Sequence, residues 1–207
     1  MEIEPALDHN FNQTYYEEET PLQETPDCEE IGQDAIWTLS SAKQGNGVEQ
    51  LRDDNVDTFW QSDGKIPHDI NIQFMKKTKI SHLAVLLDFK NDESYTPSEF
   101  TIKGGIHMQN LIELTPVKCN EPSSWLIFPL TCENSSMEEI PFIYTMNLQI
   151  VIKRNHLDGK DSHVRGIKVY GPRGNAADIL ALKESSSKKG RAKSKDKGKM
   201  KMEFTLR

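Results

Sequence analysis

The chain has 207 residues, of which 36% are hydrophobic and 28% are charged, and its net charge is −7 at pH 7. This length suffices for one domain with a substantial hydrophobic core and is too short for two. The sequence lacks a signal-peptide pattern and any apolar run near the roughly 20 residues that span a bilayer, so we expect a soluble, intracellular protein.

The charge is distributed unevenly along the chain. Residues 1–34 contain eleven acidic residues and no Lys or Arg, whereas residues 188–207 contain nine basic residues and two acidic ones. Acidic, proline-containing sequence cannot bury enough apolar surface to offset the entropy of ordering, so residues 1–34 are predicted to be disordered. Residues 173–207 are predicted to form a disordered basic tail. Its run Lys188–Lys201 is interpreted as a solvated linker, with a nuclear-localisation signal or a nucleic-acid contact as the alternative.

Residues 35–172 are predicted to form an all-β domain, because short runs of alternating apolar residues are separated by turn signals. The predicted strands are 35–41, 57–62, 68–74, 79–89, 98–106, 110–117, 124–130 and 144–153, followed by one that contains Ile167 and Val169. A single helical turn is expected within 48–55, and a short helix within 175–183. Many short strands without a helical repeat favour a β-sandwich or jelly roll.

Side-chain roles within this domain follow from residue type. In the segment before the long polar loop, one face is expected to carry Tyr144, Met146, Leu148, Ile150 and Ile152. Trp37 and Trp125 are expected in the core, and Arg52 is expected to pair with Asp54. Three cysteines, Cys28, Cys119 and Cys132, share no metal-ligand spacing, so neither a disulfide framework nor a zinc site is expected.

A polar loop at one end of the predicted sheet is the main candidate for function, since binding residues are often carried on loops held by rigid strands. It contains Asn155, His156, Asp158, Gly159, Asp161 and His163. A metal site would need several of these ligands to converge, and Gly159 interrupts them, so no metal is expected. Because the sequence also lacks a nucleophile elbow, a phosphate-binding glycine loop and a His-Glu-x-x-His motif, we do not expect an enzyme.

Four segments, 51–55, 58–64, 92–98 and 155–165, resemble in the same order the motifs of the Doc-domain family, whose members include a subunit of the anaphase-promoting complex. The resemblance covers about residues 35–170. It implies a galactose-binding-like jelly-roll β-sandwich without catalytic activity or cofactor. It also implies a substrate co-receptor that acts in the nucleus and cytoplasm, with a WD40 coactivator, on the destruction-box degrons of cyclins and securin.

The resemblance further implies which side chains contact the degron. They are Ser94, Tyr95, Asn155, His156, Asp161, His163 and Arg165. Asp161 and His163 could instead hydrogen-bond the loop backbone, and Arg165 could brace the loop. Gly159 is expected to adopt a φ angle that other residues resist.

Three residues of the second motif are expected to be structural. Trp60 is expected to fill the core, while Gln61 and Asp63 fix the adjacent turn. None of the three is therefore expected to contact the degron.

The last two residues carry a separate expectation. Members of the family end in Ile-Arg, which docks in a tetratricopeptide-repeat subunit of the complex, and Leu206-Arg207 resembles that ending. Leu can occupy a pocket for Ile at modest cost. We therefore expect complex docking through Leu206 and Arg207.

Two alternatives to this function remain open. One is a carbohydrate-binding jelly roll, although the loops offer only Tyr95 as an exposed aromatic residue for a sugar. The other is a Doc-like module of a different ubiquitin ligase. We expect neither a nucleic acid nor a membrane as a partner.

Overall fold

The computed structural model describes residues 15–133 and 139–173. Within those ranges the chain forms fourteen β-strands and two short α-helices. In chain order they are β1 (Tyr16–Glu18), β2 (Cys28–Glu30), β3 (Ala35–Leu39), α1 (Val48–Arg52), β4 (Trp60–Gln61), β5 (His68–Ile80), β6 (His82–Asp88), α2 (Phe89–Asp92), β7 (Pro97–Gly105), β8 (Ile112–Lys118), β9 (Ser123–Pro129), β10 (Cys132–Glu133), β11 (Glu139–Ile140), β12 (Ile143–Asn155), β13 (His163–Val164) and β14 (Gly166–Pro172). Neither helix has the length and apolarity needed to cross a membrane.

Two five-stranded antiparallel sheets form the frame. One has the order β1-β9-β6-β14-β2 and the other the order β3-β5-β12-β7-β8. The main hydrophobic core takes buried side chains from both, including Val85 and Phe128 from the first and Ile72 and Ile150 from the second. The sheets are therefore the two layers of a sandwich, and the all-β prediction is confirmed.

The strand β6 occupies the centre of its sheet, as its sequence predicts. Leu83, Ala84 and Val85 are each at most 2% exposed, and β6 is hydrogen-bonded to β9 on one side and β14 on the other. A strand that is covered on both faces has no solvent side, which is why its apolar residues run continuously rather than alternating.

The prediction that residues 1–34 are disordered is wrong for residues 15–34. The strand β1 pairs with β9, and β2 pairs with β14. Tyr15, Leu22, Cys28 and Ile31 pack against the buried core. These few apolar residues are spaced so that each reaches the sandwich, which a composition average cannot reveal. Residues 1–14 lie outside the described residues.

The predicted pairing of Arg52 with Asp54 is also wrong. The Arg52 guanidinium instead bonds both carboxylate oxygens of Glu30 at 3.1 and 3.3 Å and the carbonyl oxygen of Ile167 at 2.6 Å. Asp54 pairs with Lys168. Arg52 thus ties β2, which sequence composition assigns to a disordered tail, to the middle of the domain.

The strand β12 differs from its predicted alternation at its first residues. Leu148, Ile150 and Ile152 are buried as expected, but Tyr144 is 48% exposed and Thr145 is buried. The register to β5 shifts between Thr145 and Asn147. Between the pairs Thr145–Thr78 and Asn147–Gln73, one residue of β12 faces four residues of β5. The alternation of β12 is interrupted there, so its two ends bury opposite sets of positions.

The remaining predictions concern Trp37, Trp125, the cysteines and the C-terminal segment. Trp125 is buried, Trp37 packs half-buried against the core, and all three cysteines are free thiols. The helix predicted within 175–183, the basic tail and the two C-terminal residues lie outside the described residues.

Candidate functional site

The two loops that carry most predicted site residues leave the sandwich side by side. Asn155, the last residue of β12, is paired with Pro97, the first residue of β7. The loop before Pro97 contains a 3₁₀ turn at Glu93–Tyr95, and the loop after Asn155 contains another at His156–Asp158. Antiparallel pairing of Pro97 with Asn155, which are 58 positions apart (155 − 97), therefore brings the two loops to one end of the domain.

Backbone contacts join these loops directly. The His156 amide donates to the Thr96 carbonyl oxygen at 2.9 Å. A Cβ atom at Gly159 would lie 1.7 Å from the Ser94 carbonyl oxygen. The φ angle of Gly159 is −61°, so the prediction of a φ that other residues resist is wrong. Glycine is needed here because the neighbouring backbone leaves no room for a side chain.

Asn155 organises the second loop from within. Its side-chain amide donates to the carbonyl oxygens of Gly159 at 3.2 Å and Asp161 at 2.8 Å, and its oxygen accepts from the Ser162 hydroxyl at 2.9 Å. The side chain is buried. All of these bonds close the loop on itself, so Asn155 sets its shape.

Asp92 is a buried carboxylate shared by two predicted site residues. It accepts from His163 Nδ1 at 3.0 Å and from Arg165 through Nε and Nη2, both at 2.8 Å. Burial alone would raise the pKa of Asp92, but these donors outweigh it and the pKa lies below its ordinary value. The bidentate bond to Asp92 in turn raises the pKa of Arg165.

His163 is enclosed between two aromatic rings. Phe59 stacks on one side at a centroid distance of 4.0 Å, and Tyr95 stacks on the other at 4.3 Å. The residue is 8% exposed, whereas Tyr95 is 39% exposed. Tyr95 therefore covers His163 and presents its outer face to solvent.

Lys43 contacts the loop that follows Asn155. The Lys43 ammonium forms an ion pair with Asp161 at 2.5 Å, which raises the pKa of Lys43. Its amide donates to the Gln61 carbonyl oxygen at 2.9 Å. Trp60 is fully buried and donates to the Ser41 carbonyl oxygen, so the structural role predicted for Trp60 is confirmed.

Sequence reasoning missed the most exposed apolar side chain of the site. Leu157 is 73% exposed, and its φ of 52° and ψ of 28° are left-handed, as is the φ of 56° at Asp158. Such conformations cost an L-residue about 1–2 kcal/mol. The signal in the sequence is a single leucine within a run of polar loop residues.

His156 is partly buried. Its ring meets Phe89 edge to face at a centroid distance of 4.9 Å. Burial lowers its pKa, so the neutral ring is favoured. Among the described residues nothing hydrogen-bonds its buried Nε2.

A shallow cavity of about 290 Å³ adjoins the loop. Its wall includes the basic residues Lys65, Arg154 and Lys160, together with Asp158. Arg154 pairs loosely with Asp158 at 3.6 Å. Positive charge therefore borders the surface that Leu157 and Tyr95 expose. Within residues 15–133 and 139–173 no group of three or more His, Cys, Asp or Glu residues is arranged to hold a metal ion.

The fold has known counterparts among sugar-binding modules. The family 32 carbohydrate-binding module of Clostridium perfringens NanJ, solved with galactose, aligns with a TM-score of 0.54 at 12% identity, covering 67% of this chain and 95% of the module. A C. perfringens module solved with a GalNAc-β-1,3-galactose disaccharide aligns equally well, at 12% identity, over 67% of this chain and 96% of the module. At such low identity the likeness shows the galactose-binding-like jelly-roll fold alone.

Sequence comparison identifies the family. Residues 9–194 match the family model described as "Anaphase-promoting complex, subunit 10". The anaphase-promoting complex subunit 10 of Mus musculus is 45% identical over 151 residues, which is 73% of this chain and 79% of the mouse protein. That of Dictyostelium discoideum is 50% identical over 142 residues, or 69% and 72% of the two chains. With its jelly-roll frame and these sequence matches, this chain belongs to the subunit 10 family of the anaphase-promoting complex.

Proposed function

We propose that this chain is a non-catalytic substrate co-receptor of the anaphase-promoting complex. In this role it binds destruction-box degrons of substrates such as cyclins and securin, jointly with a WD40 coactivator. The expected result is processive ubiquitination of cell-cycle substrates. The family is that of a subunit of a ubiquitin ligase complex, and the jelly roll is a fold used for binding.

The observation that carries the proposal is a small exposed surface on two loops that are locked to each other. Tyr95 and Leu157 are exposed, and the amide of His156, next to Leu157, donates to the carbonyl oxygen of Thr96, next to Tyr95. A short extended peptide has both apolar and polar groups, and this surface offers partners for both. Because the loops are already fixed, little conformational entropy is lost when the peptide binds.

The predicted degron residues divide into two groups by their contacts. Asn155 hydrogen-bonds the loop backbone, and His163 Nδ1 and Arg165 hydrogen-bond Asp92. The buried Nε2 of His163 has no hydrogen-bond partner among the described residues. We infer that these three hold the surface in shape. Tyr95 and His156, with Leu157 added, are then the side chains that contact the degron, and Ser94 and Asp161 border them.

The size of this surface explains why a second receptor is needed. Three or four hydrogen bonds, each contributing about 0.5–1.5 kcal/mol, give an affinity near the millimolar range. A peptide already tethered by the coactivator meets the surface at an effective concentration of similar order. Even weak contacts then lengthen the time that a substrate stays on the ligase, and more ubiquitins are added in each encounter.

A reconstituted ligation assay with coactivator and a destruction-box substrate tests the proposal. The double variant His156→Ala with Asp161→Ala is expected to shorten the ubiquitin chains added per encounter. Ile112→Ala is the matched control, because Ile112 is an exposed apolar residue on the edge strand β8. Thermal unfolding checks that each variant is folded. Equal chain lengths for the double variant and the control would refute the proposal.

We also propose that the C-terminal Leu206 and Arg207 dock in a tetratricopeptide-repeat subunit of the complex. The aliphatic side chain of Leu206 suits an apolar pocket, and the guanidinium of Arg207 suits a carboxylate of the partner. Deletion of both residues is expected to reduce recovery of the chain with the complex in a pull-down. Full recovery would exclude this docking mode and would leave the degron proposal untouched.

A further inference from the structure

A second exposed surface lies at the other end of β12 from the candidate site. Its members are Met75, Lys77, Lys79, Phe142 and Tyr144, which we call the distal face. Met75 is 76% exposed and Tyr144 is 48% exposed. Tyr144 is the register partner of Lys79. The ammonium groups of Lys77 and Lys79 both reach the Tyr144 ring, so these lysines lie on the side that Tyr144 occupies. Met75 is exposed two positions before Lys77.

The distal face is ordered by contacts between its lysines and its rings. The Lys77 ammonium lies 5.3 Å from the centroid of the Tyr144 ring, and the Lys79 ammonium lies 4.9 Å from that of Phe142. The two rings meet edge to face at 5.3 Å. Cation–π contacts of this kind contribute about 0.5–1 kcal/mol each at exposed sites. These contacts restrict the Lys77 and Lys79 side chains, which would otherwise move freely.

The positive charge of this surface is uncompensated within the described part of the chain. Among the side chains that the structure describes, neither Lys77 nor Lys79 has an ion-pair partner, whereas Lys43, Lys118, Lys153 and Lys168 each have an acidic partner. Residues 74–81 contain three lysines and no acidic residue, in a chain with a net charge of −7. An ammonium has three donors, and a ring face satisfies them only weakly. The lysines are thus available to carboxylates.

We propose that the distal face is a docking surface for an acidic segment of another subunit of the anaphase-promoting complex. Carboxylates of that segment bind Lys77 and Lys79, and an apolar side chain packs on Tyr144 and Met75. Positive charge beside exposed aromatic rings selects such a segment over a neutral one. Membership of the subunit 10 family places neighbouring subunits within reach.

The distal face and the candidate site are far apart. Tyr144 and Asn155 are eleven positions apart in β12, which corresponds to roughly 35 Å of extended strand. A subunit bound at one end therefore leaves the other end open. Loss of docking at the distal face and loss of degron contact can be measured separately.

Photo-crosslinking in the assembled complex tests the proposal. Benzoylphenylalanine replaces Tyr144 in the full-length chain, and the cross-linked peptides are mapped by mass spectrometry. We expect a cross-link to an Asp- and Glu-rich segment of another subunit, and none from the same probe at Ile112. Cross-links only to this chain's own residues 134–140, which include Glu138 and Glu139, would overturn the proposal. So would cross-links only to nucleic acid, to a second copy or to nothing.

Charge reversal supplies a matched pair of variants. Lys77→Glu is expected to lower the cross-link yield about tenfold or more, since like charges would then face each other. Lys90→Glu changes the net charge equally at an exposed lysine of α2, outside the distal face, and should lower the yield far less. Lys77→Arg keeps the positive charge and should retain the cross-link yield of the wild type. Equal losses for the two Glu variants would show a general charge effect and refute a specific surface.

Discussion

Gly159 lies directly against the carbonyl group of Ser94, which leaves no space for a side chain between the two loops of the candidate site. A Cβ atom would come within 1.7 Å of the Ser94 oxygen and within 2.7 Å of its carbonyl carbon. Real Cβ atoms do not approach backbone this closely, so any other residue would push the loops apart. The shape of the site depends on this contact.

Gly159→Ala is therefore expected to lower both stability and substrate retention. Displaced backbone typically costs about 1–3 kcal/mol of unfolding free energy, which urea denaturation measures. Ubiquitin chains in the reconstituted assay should shorten as well. Gly47→Ala is the control, since a Cβ there meets nothing within 4 Å. Similar effects for both variants would show that the close contact does not matter.

Asp92→Asn is expected to destabilise the domain in a pH-dependent way. It removes the charge that pairs with Arg165 and His163, and the loss of one partner of a buried pair costs about 3 kcal/mol at neutral pH. The folded-state pKa of Asp92 lies below its ordinary value of 3.8. The stabilisation from the carboxylate is therefore complete above about pH 4 and is lost as the pH falls through the folded-state pKa.

Urea denaturation of the wild type and Asp92→Asn between pH 7 and pH 3 tests the direction of this pH dependence. The difference in unfolding free energy should be constant at higher pH and should shrink at the acid end. Asp63→Asn, at an exposed carboxylate in the same region, should differ little from the wild type throughout. A difference for Asp92→Asn that grows on acidification would contradict the assigned contacts.

Leu157→Gly is expected to separate stability from function. Glycine adopts the left-handed conformation of residue 157 without the steric penalty of leucine, so folding should be unaffected or favoured by up to about 1 kcal/mol. Degron contact should nevertheless weaken, because an exposed apolar side chain is lost. The measurements are thermal unfolding and ubiquitin chain length. Unchanged chain lengths would mean that Leu157 does not touch the degron.

Truncation tests the ordered part of the acidic N-terminal segment. A chain that begins at residue 35 lacks β1 and β2, and with them the apolar residues Tyr15, Leu22 and Ile31. Its unfolding free energy should be lower by about 3 kcal/mol or more than that of a chain beginning at residue 15. The reason is that the apolar surface these side chains bury against the sandwich is lost. Equal urea midpoints for the two chains would favour the disordered state that the composition indicates.

The fold was predictable where residue periodicity alone determines an element. Alternation in residues 68–74 and the apolar run within 79–89 reveal two central strands, because burial on one face or on both leaves distinct patterns. Pairing between distant residues leaves no such pattern. Arg52 and Glu30 are 22 positions apart, and nothing local distinguishes Glu30 from its acidic neighbours.

The candidate site was predictable as a set of segments and only partly in its internal roles. The polar loop and the loop at 92–98 do meet, since the strands that carry them are paired. Sequence offers no means of telling Asn155, which closes its own loop, from His156, which lies nearer the surface. Asp92 is the shared acceptor of His163 and Arg165, although hydrophilic character alone would place it in solvent.

The register shift between β5 and β12 has a consequence for how this surface can change between relatives. With unbroken alternation in β12, Tyr144 would point into the core with Leu148, and its ring would be hidden. The interruption at Met146, opposite residues 74–77 of β5, lets Tyr144 face outward while Leu148, Ile150 and Ile152 stay buried. An insertion or deletion in either strand at this point would therefore expose or hide the ring and leave the pairing of Pro97 with Asn155 at the opposite end unchanged.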